Sequence, residues 1–124
     1  VVYAHQQTPF MKNLTRIVVF WQAFIYLLTA IKNPGIIIPN ESARENQPKT
    51  ANYCDECNIV KENSTYHCED CHVCIEGYDH HCPWTGKCIG RGNLIPFYLF
   101  LLSTVGYIVF CMMATVSSIQ KIAN

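Results

Sequence analysis

Apolar residues in this chain fall into two blocks with a long polar stretch between them. The first block is residues 14–31; from 17 to 31 it has no charged residue, and Gln22 and Thr29 are its notable polar side chains. The second is residues 94–119, which carry no formal charge at all. A helix that crosses a bilayer needs about 20 predominantly apolar residues, with a minimum near 17. At a rise of about 1.5 Å per residue the second block reaches about 39 Å, enough to cross with tilt. The first block reaches the necessary length if Arg16 snorkels to the interface. The pattern therefore predicts a membrane protein with two α-helical spans, 14–31 and 94–119, around a juxtamembrane linker, 32–52, and a polar module, 53–93.

Local signals refine this outline. Residues 1–13 are polar and unpatterned. Asn33-Pro34-Gly35 stops the first helix by turn chemistry. Ile36, Ile37 and Ile38 read as a short extended piece at the bilayer surface, and residues 41–45 as a turn of helix. Pro96 lies near the start of the second helix, where a missing N–H is harmless. Ser103, Gly106 and Ala114 offer small faces for helix contact. Cys111 reads as a plain buried cysteine.

The polar module changes the picture from anchor to chemistry. Seven of the eight cysteines and four of the five histidines lie between Cys54 and Cys88. Cys54, Cys57, His67 and Cys74 spell C-x2-C-x9-H-x6-C. Cys68, Cys71, His81 and Cys88 spell it again, fourteen residues later. Three thiolates and one imidazole make an ordinary tetrahedral zinc shell, so two structural Zn2+ ions are expected. The loops are too short to bury a core, and the metals must supply much of the folding energy. Short β-hairpins around the C-x2-C elbows are expected, with little helix. His72 reads as a surface histidine, and Asp55, Glu56, Glu62, Glu69, Asp70 and Glu76 as a solvated face.

The two shells leave Cys82 and His80 over. Cys82 stands where a third copy would begin, but Thr85 occupies the partner position, so no third C-x2-C exists. If residues 79–82 run extended, His80 and Cys82 share one face and His81 points the other way, towards its metal. A free thiol beside a free imidazole is a nucleophile and base by arrangement. Asp79 can hold the imidazole in the productive tautomer, by the logic of a triad. Both metals would be structural, because a closed four-ligand shell has no position to activate water.

Charge adds orientation and an exclusion. The formal net charge is +0, which, with the acidic module, argues against a nucleic-acid partner. Metal thiolates and a free nucleophilic thiol argue against a secreted disulfide scaffold and for reducing surroundings. Residues 32–93 carry Lys32, Arg44, Lys49, Lys61, Lys87 and Arg91, while the outer flanks carry Lys12, Arg16 and Lys121. The positive-inside rule then places the module in the cytosol.

Asp79-His80-His81-Cys82, followed by Pro83-Trp84, Cys88-Ile89-Gly90, Asn93 and Phe97, resembles the DHHC protein S-acyltransferase family. Asn33-Pro34-Gly35 is similar to that family's Asp-Pro-Gly motif. The resemblance runs from about residue 17 to 119. It implies a palmitoyltransferase: Cys82 takes an acyl chain from palmitoyl-CoA or a similar acyl-CoA and passes it to a cysteine of a membrane-associated protein. His80 would be base and then acid, and Asp79 would orient it. Trp84 resembles a position near the reactive thioester. Residues along 97–107, especially Phe97, Phe100 and Tyr107, would line an acyl cavity among the membrane helices, and Lys87 and Arg91 are candidates for the CoA phosphates. The resemblance further implies an endomembrane location, Golgi or endoplasmic reticulum. The family has four membrane helices, and the two spans here resemble its second and third, so the chain reads as a piece of something longer. Lys61-Glu62-Asn63-Ser64 departs from the family's Lys-Pro-x-Arg, and Asn33 replaces its aspartate. The competing reading is a non-catalytic, membrane-anchored zinc module that binds partner proteins.

Overall fold

A computed structural model describes residues 8–39, 52–62 and 64–123. The expected turn of helix at 41–45 and most of the 32–52 linker lie outside the described residues. Helix α1 is Pro9–Ile31. Three two-stranded antiparallel hairpins follow: β1 (Tyr53–Cys54) with β2 (Ile59–Val60), β3 (Thr65–Cys68) with β4 (Val73–Glu76), and β5 (His80–Cys82) with β6 (Lys87–Ile89). Helix α2 is Leu94–Ala123.

Both helices outrun their apolar blocks. Helix α1 starts earlier than expected because Thr8 caps it: its Oγ1 accepts the Met11 N–H at 3.3 Å, and Pro9 at the first helical position has its φ preset and no N–H to leave unpaired. At the other end the chain leaves the helix at Lys32, just before Asn33-Pro34, where the residue preceding a proline is driven out of the α region. Helix α2 continues past residue 119, and Ser117 and Ser118 satisfy their hydroxyls on the carbonyls of Met113 and Ala114.

The helices pack on each other through polar and aromatic contacts on a largely apolar surface. Gln22 Nε2 donates to Thr104 Oγ1 at 2.7 Å, and Ser103 Oγ donates to Gln22 Oε1 at 2.8 Å. Such bonds suit an apolar solvent, where an unpaired amide is costly. The Tyr26 and Phe100 rings lie 5.6 Å apart. Of the expected small faces, Ser103 is used, but a Cβ on Gly106 would meet nothing. Cys111 is exposed, contrary to its expected burial. Phe20, Phe24, Leu102 and Met113 also point outward. Residues Pro9–Ile31 and Leu94–Gln120 are each long and apolar enough to cross a membrane, and outward apolar side chains are what a lipid-facing surface requires.

Between the helices there is no single core among the described residues but three small clusters, one at each hairpin. Cys54, Ile59 and Cys74 form the first; Cys68, Ile75 and Cys88 the second; Cys82, Ile89 and Phe97 the third. Sulfur atoms of the repeat are the centre of the first two, as expected for a module that relies on metal.

A backbone seam holds the module against the end of α1. Ile36 and Ile37 are extended as expected, and their partner is β4: Ile36 bridges Ile75, and the Ile37 N–H donates to the Cys74 carbonyl at 3.0 Å. Asn33 Oδ1 accepts the N–H groups of Gly35 and Ile36 at 2.9 and 3.0 Å. That turn needs only an acceptor, so asparagine serves as well as aspartate. Buried Asn93 ties three elements: its Nδ2 donates to the carbonyls of Cys88 and Thr29, and its Oδ1 accepts the Gly90 N–H. Gly92 donates to the Pro34 carbonyl at 3.0 Å, and a Cβ there would collide with the Asn33 carbonyl oxygen and lie 3.1 Å from the Gly35 nitrogen. Gly92→Ala is therefore expected to destabilise the chain by about 1–3 kcal/mol, read as a lowered thermal midpoint in detergent with both metals retained at low temperature.

Candidate active site

The ligand atoms of each predicted shell converge. Cys54, Cys57, His67 and Cys74 form one group and Cys68, Cys71, His81 and Cys88 another, with all donor atoms within 4.8 Å of one another. The pairing register explains this. His67 faces Cys74 across β3–β4, and His81 faces Cys88 across β5–β6, so each set is completed by the next hairpin. Interleaving in sequence becomes cross-bracing in space.

The distances fit zinc. Bonds of about 2.3 Å to sulfur and about 2.0–2.1 Å to nitrogen at a tetrahedral ion put S···N near 3.6 Å and S···S near 3.8 Å. His67 Nδ1 lies 3.5, 3.2 and 3.8 Å from the sulfurs of Cys54, Cys57 and Cys74. His81 Nδ1 lies 3.7, 3.3 and 3.8 Å from those of Cys68, Cys71 and Cys88. The Cys71 and Cys88 sulfurs are 3.4 Å apart. All eight cysteines of the chain are free thiols. Burial and the neighbouring thiols push Cys74 and Cys88 well up from the ordinary thiol range. Burial acts the same way on Cys68, but donors from Cys88, Cys71, His81 and Asp70 outweigh it and bring that thiol down to about 7. One set of buried thiols cannot all ionise together without a cation among them; a divalent ion removes that conflict.

Glu56 and Glu76, both expected in the solvated acidic face, stand against an imidazole and a guanidinium. Glu56 Oε2 stands 2.9 Å from His67 Nε2, off the N–H axis, so the contact is electrostatic and not an aligned hydrogen bond. A carboxylate behind a ligating imidazole fixes the ring and raises its basicity. His72 Nδ1 is 4.0 Å from the same oxygen and its side chain is exposed, which agrees with its reading as a surface histidine. Glu56→Gln is expected to weaken zinc at the first site about tenfold, the low end for such partners because Glu56 is itself exposed; chelator competition would show one of the two ions released earlier. The second acidic residue, Glu76, pairs with Arg91.

The leftover pair sits together. Residues His80–Cys82 are strand β5, so side chains alternate: His81 joins its metal set, while His80 and Cys82 open into a common cavity of about 500 Å³. The cavity is lined by His80, Cys82, Trp84, Phe97, Phe100, Leu101 and Thr104, from the third hairpin on one side and α2 on the other. Cys82 is 2% exposed. Burial pushes its thiol up, but contacts with the Thr85 side chain, the His80 ring and the N–H groups of Thr85 and Trp84 outweigh it, and the net direction is down. His80 Nδ1 lies 3.5 Å from Asp79 Oδ2, and the Phe97 ring meets the imidazole edge-on with centroids 5.2 Å apart. A thiol, a base and an orienting carboxylate at the mouth of an apolar cavity can form and hold an acyl thioester.

Of the predicted cavity residues, Trp84, Phe97 and Phe100 line the Cys82 cavity. Tyr107 lines a neighbouring one of about 310 Å³ with Val19, Gln22, Ala23, Tyr26 and Phe100. Leu101 and Thr104, inside the expected stretch 97–107, line the Cys82 cavity as well, following Phe97 and Phe100 at the spacing of a single helix face. Lys87 and Arg91 have partners within the chain. Lys87 Nζ donates to the carbonyls of Ala30 and Lys32, both at 2.9 Å, where a cation meets the negative end of α1. Arg91 stays largely exposed beside Glu76.

The family model described as DHHC palmitoyltransferase matches residues 47–124. Human palmitoyltransferase ZDHHC20 is 44% identical over 62 residues, covering 50% of this chain and 17% of that protein. Palmitoyltransferase PFA4 of Eremothecium gossypii is 47% identical over 90 residues, covering 70% of this chain and 22% of the relative. Palmitoyltransferase SWF1 of Saccharomyces cerevisiae is 48% identical over 52 residues, 42% of this chain and 16% of the relative. The matched part of the chain thus spans between 16 and 22% of these relatives' length.

Proposed function

Because this chain belongs to the DHHC palmitoyltransferase family, we propose that it is the catalytic part of a protein S-acyltransferase that moves a palmitoyl-type chain from acyl-CoA to protein cysteines through a thioester on Cys82. The observation that carries this reading is the opening of buried Cys82, together with His80, into the apolar cavity against α2.

The chemistry closes with the residues at hand. His80 takes the Cys82 proton, and the sulfur attacks the acyl-CoA carbonyl. A new S–C bond forms, the C–S bond to CoA breaks, and the departing CoA thiolate receives the proton from His80. In the second half His80 takes the proton of a substrate cysteine, whose sulfur attacks the Cys82 thioester; the acyl group leaves on the substrate and the proton returns to Cys82. Asp79 orients and supports the imidazolium throughout. Zinc in the two Cys3His sets would hold the hairpins and supply no step. Trp84, Phe97 and Phe100 would cover the first carbons of the acyl chain, and Tyr107 would sit further along α2. Arg91 is free to meet a CoA phosphate on its exposed side, and Lys87 has one of its three ammonium donors left for the same task. We assign residues 14–31 and 94–119 as the membrane-embedded parts, 32–52 as a linker and 53–93 as the catalytic module.

The chain is part of an integral membrane protein. The charge asymmetry supports a cytosolic module, and an endomembrane, Golgi or endoplasmic reticulum, is the proposed location. Its partners would be membrane-associated proteins with accessible cysteines. The test is to incubate the full-length membrane protein with a clickable palmitoyl-CoA and look for a hydroxylamine-labile label on the peptide containing Cys82. Label there supports the transferase; its absence, with both zinc ions bound, favours the non-catalytic zinc module.

A further inference from the structure

The hairpin that carries Cys82 shares its elbow with the two metal hairpins and differs from both at the position of the second ligand. The first cysteine of each faces the residue five positions on: Cys54 with Ile59, Cys68 with Val73 and Cys82 with Lys87. Each elbow turns through a left-handed residue four positions after that cysteine: Asn58 at φ 53°, His72 at 54° and Gly86 at 65°. In all three, the sulfur receives the backbone N–H groups two and three positions on: Glu56 and Cys57, Asp70 and Cys71, Trp84 and Thr85. The copies stand fourteen residues apart along the chain. A turn that aims two N–H dipoles at one sulfur is a small anion-binding concavity of backbone donors. In the first two hairpins it serves a metal-ligand sulfur. In the third it surrounds the one cysteine of the module that belongs to neither metal set.

The exception is the position of the second ligand. Cys57 and Cys71 stand there in the first two hairpins, and Thr85 in the third. Thr85 is buried, and its N–H and Oγ1 both donate to the Cys82 carbonyl, at 3.2 and 3.3 Å. A neutral hydroxyl is a poor zinc donor beside thiolate and imidazole. Without a second thiolate, Cys82 and His80 make a two-ligand set that cannot compete with closed four-ligand shells.

We infer that β5–β6 is a zinc knuckle that has exchanged its second metal ligand for Thr85, and that Thr85 is a specificity-determining residue which keeps the knuckle's donors around Cys82 while denying the sulfur to zinc. The purpose of that arrangement rests on the proposed role of Cys82 as nucleophile; the metal chemistry can be measured without it.

The experiment compares Thr85→Cys, Thr85→His and Thr85→Ser with the parent, all in a Cys111→Ser background so that Cys82 is the one non-ligand thiol among this chain's residues. Each full-length protein is purified in detergent with zinc supplied. The zinc sites of this module are counted by native mass spectrometry, and Cys82 is probed by maleimide labelling with peptide mapping. The parent and Thr85→Ser should hold two ions here and label at the same rate. Thr85→Cys and Thr85→His should hold a third, with Cys82 labelling slowed about tenfold or more because a metal-bound thiolate is a weak nucleophile. Mild chelation should remove that ion first and restore labelling. Two ions and parental labelling in folded Thr85→Cys and Thr85→His would overturn the inference. The parent provides a check that needs no variant to fold. Replacing its zinc with cadmium should give six thiolate–cadmium bonds in this module, from the two sets alone; a seventh, on Cys82, overturns the inference. Acylation is not read in any arm, so a negative metal result leaves the transferase standing, and an unacylated parent with the expected metal counts rejects the transferase alone.

Discussion

Cys82→Ser is expected to abolish acyl transfer while leaving both zinc ions in place. The hydroxyl that replaces the thiol is a far weaker nucleophile at neutral pH, and the nearby donors cannot make up the difference. A loss on the order of 10⁴-fold or more in self-acylation is the scale seen when a nucleophile is removed from a unit that acts as one. The fold should survive, because Cys82 belongs to neither donor set and serine is nearly isosteric in the small cluster with Ile89 and Phe97. The measurement is paired: acyl label on the chain and zinc per chain, on one preparation. Zinc loss in this variant would show that the sulfur is a ligand and would end the enzymatic reading of the site.

The complementary result is expected at Cys74. This cysteine is fully buried in the first cluster, donates its sulfur to the first metal set, and offers its carbonyl to Ile37 on the seam to α1. Structural zinc contributes about 10–16 kcal/mol of apparent binding free energy in small domains. Cys74→Ser leaves three ligands and a buried hydroxyl among thiols, so the first ion should be lost. Hairpin β3–β4, which also carries Cys68 of the second set, should then loosen and weaken the second ion. Zinc content below half the parent value and rapid proteolysis within residues 52–93 are the expected readings. A Cys74→Ser chain with two ions and parental protease resistance would mean that the first set is not a zinc shell. Acyl transfer should fall in both variants, and zinc content tells them apart.

Much of this was visible in the chain before any coordinates. The two metal sets could be read because ligand chemistry is discrete. A doubled C-x2-C-x9-H-x6-C has few alternative explanations, and the fold brings the same eight residues together. The alternation of His80, His81 and Cys82 was equally legible, since an extended strand has one side-chain period. The spans were legible from hydropathy, but their ends were not. Thr8 adds a cap ahead of the apolar block, and the hydroxyls of Ser117 and Ser118 let α2 run on.

What could not be read depends on approach in space between residues far apart in the chain. The ammonium of Lys87 sits on the carbonyl end of a helix more than fifty residues earlier, and nothing local to Lys87 signals it. Gln22, a notable polar residue of the first span, bonds Ser103 and Thr104 on the other helix. Glu56 looked like solvated charge and stands against a ligand imidazole.

The chain by itself determined the metal donors, the thiol outside those sets with a neighbouring imidazole, and two apolar spans, because valence and hydrophobic periodicity are properties of residue type and spacing. Tertiary structure alone decided which face of α2 meets Cys82, that Tyr107 belongs to the adjoining cavity, and that the elbow at Cys82 turns as the two C-x2-C elbows do. Those outcomes follow from packing and hydrogen-bond geometry among distant segments, and neither is encoded at any single position.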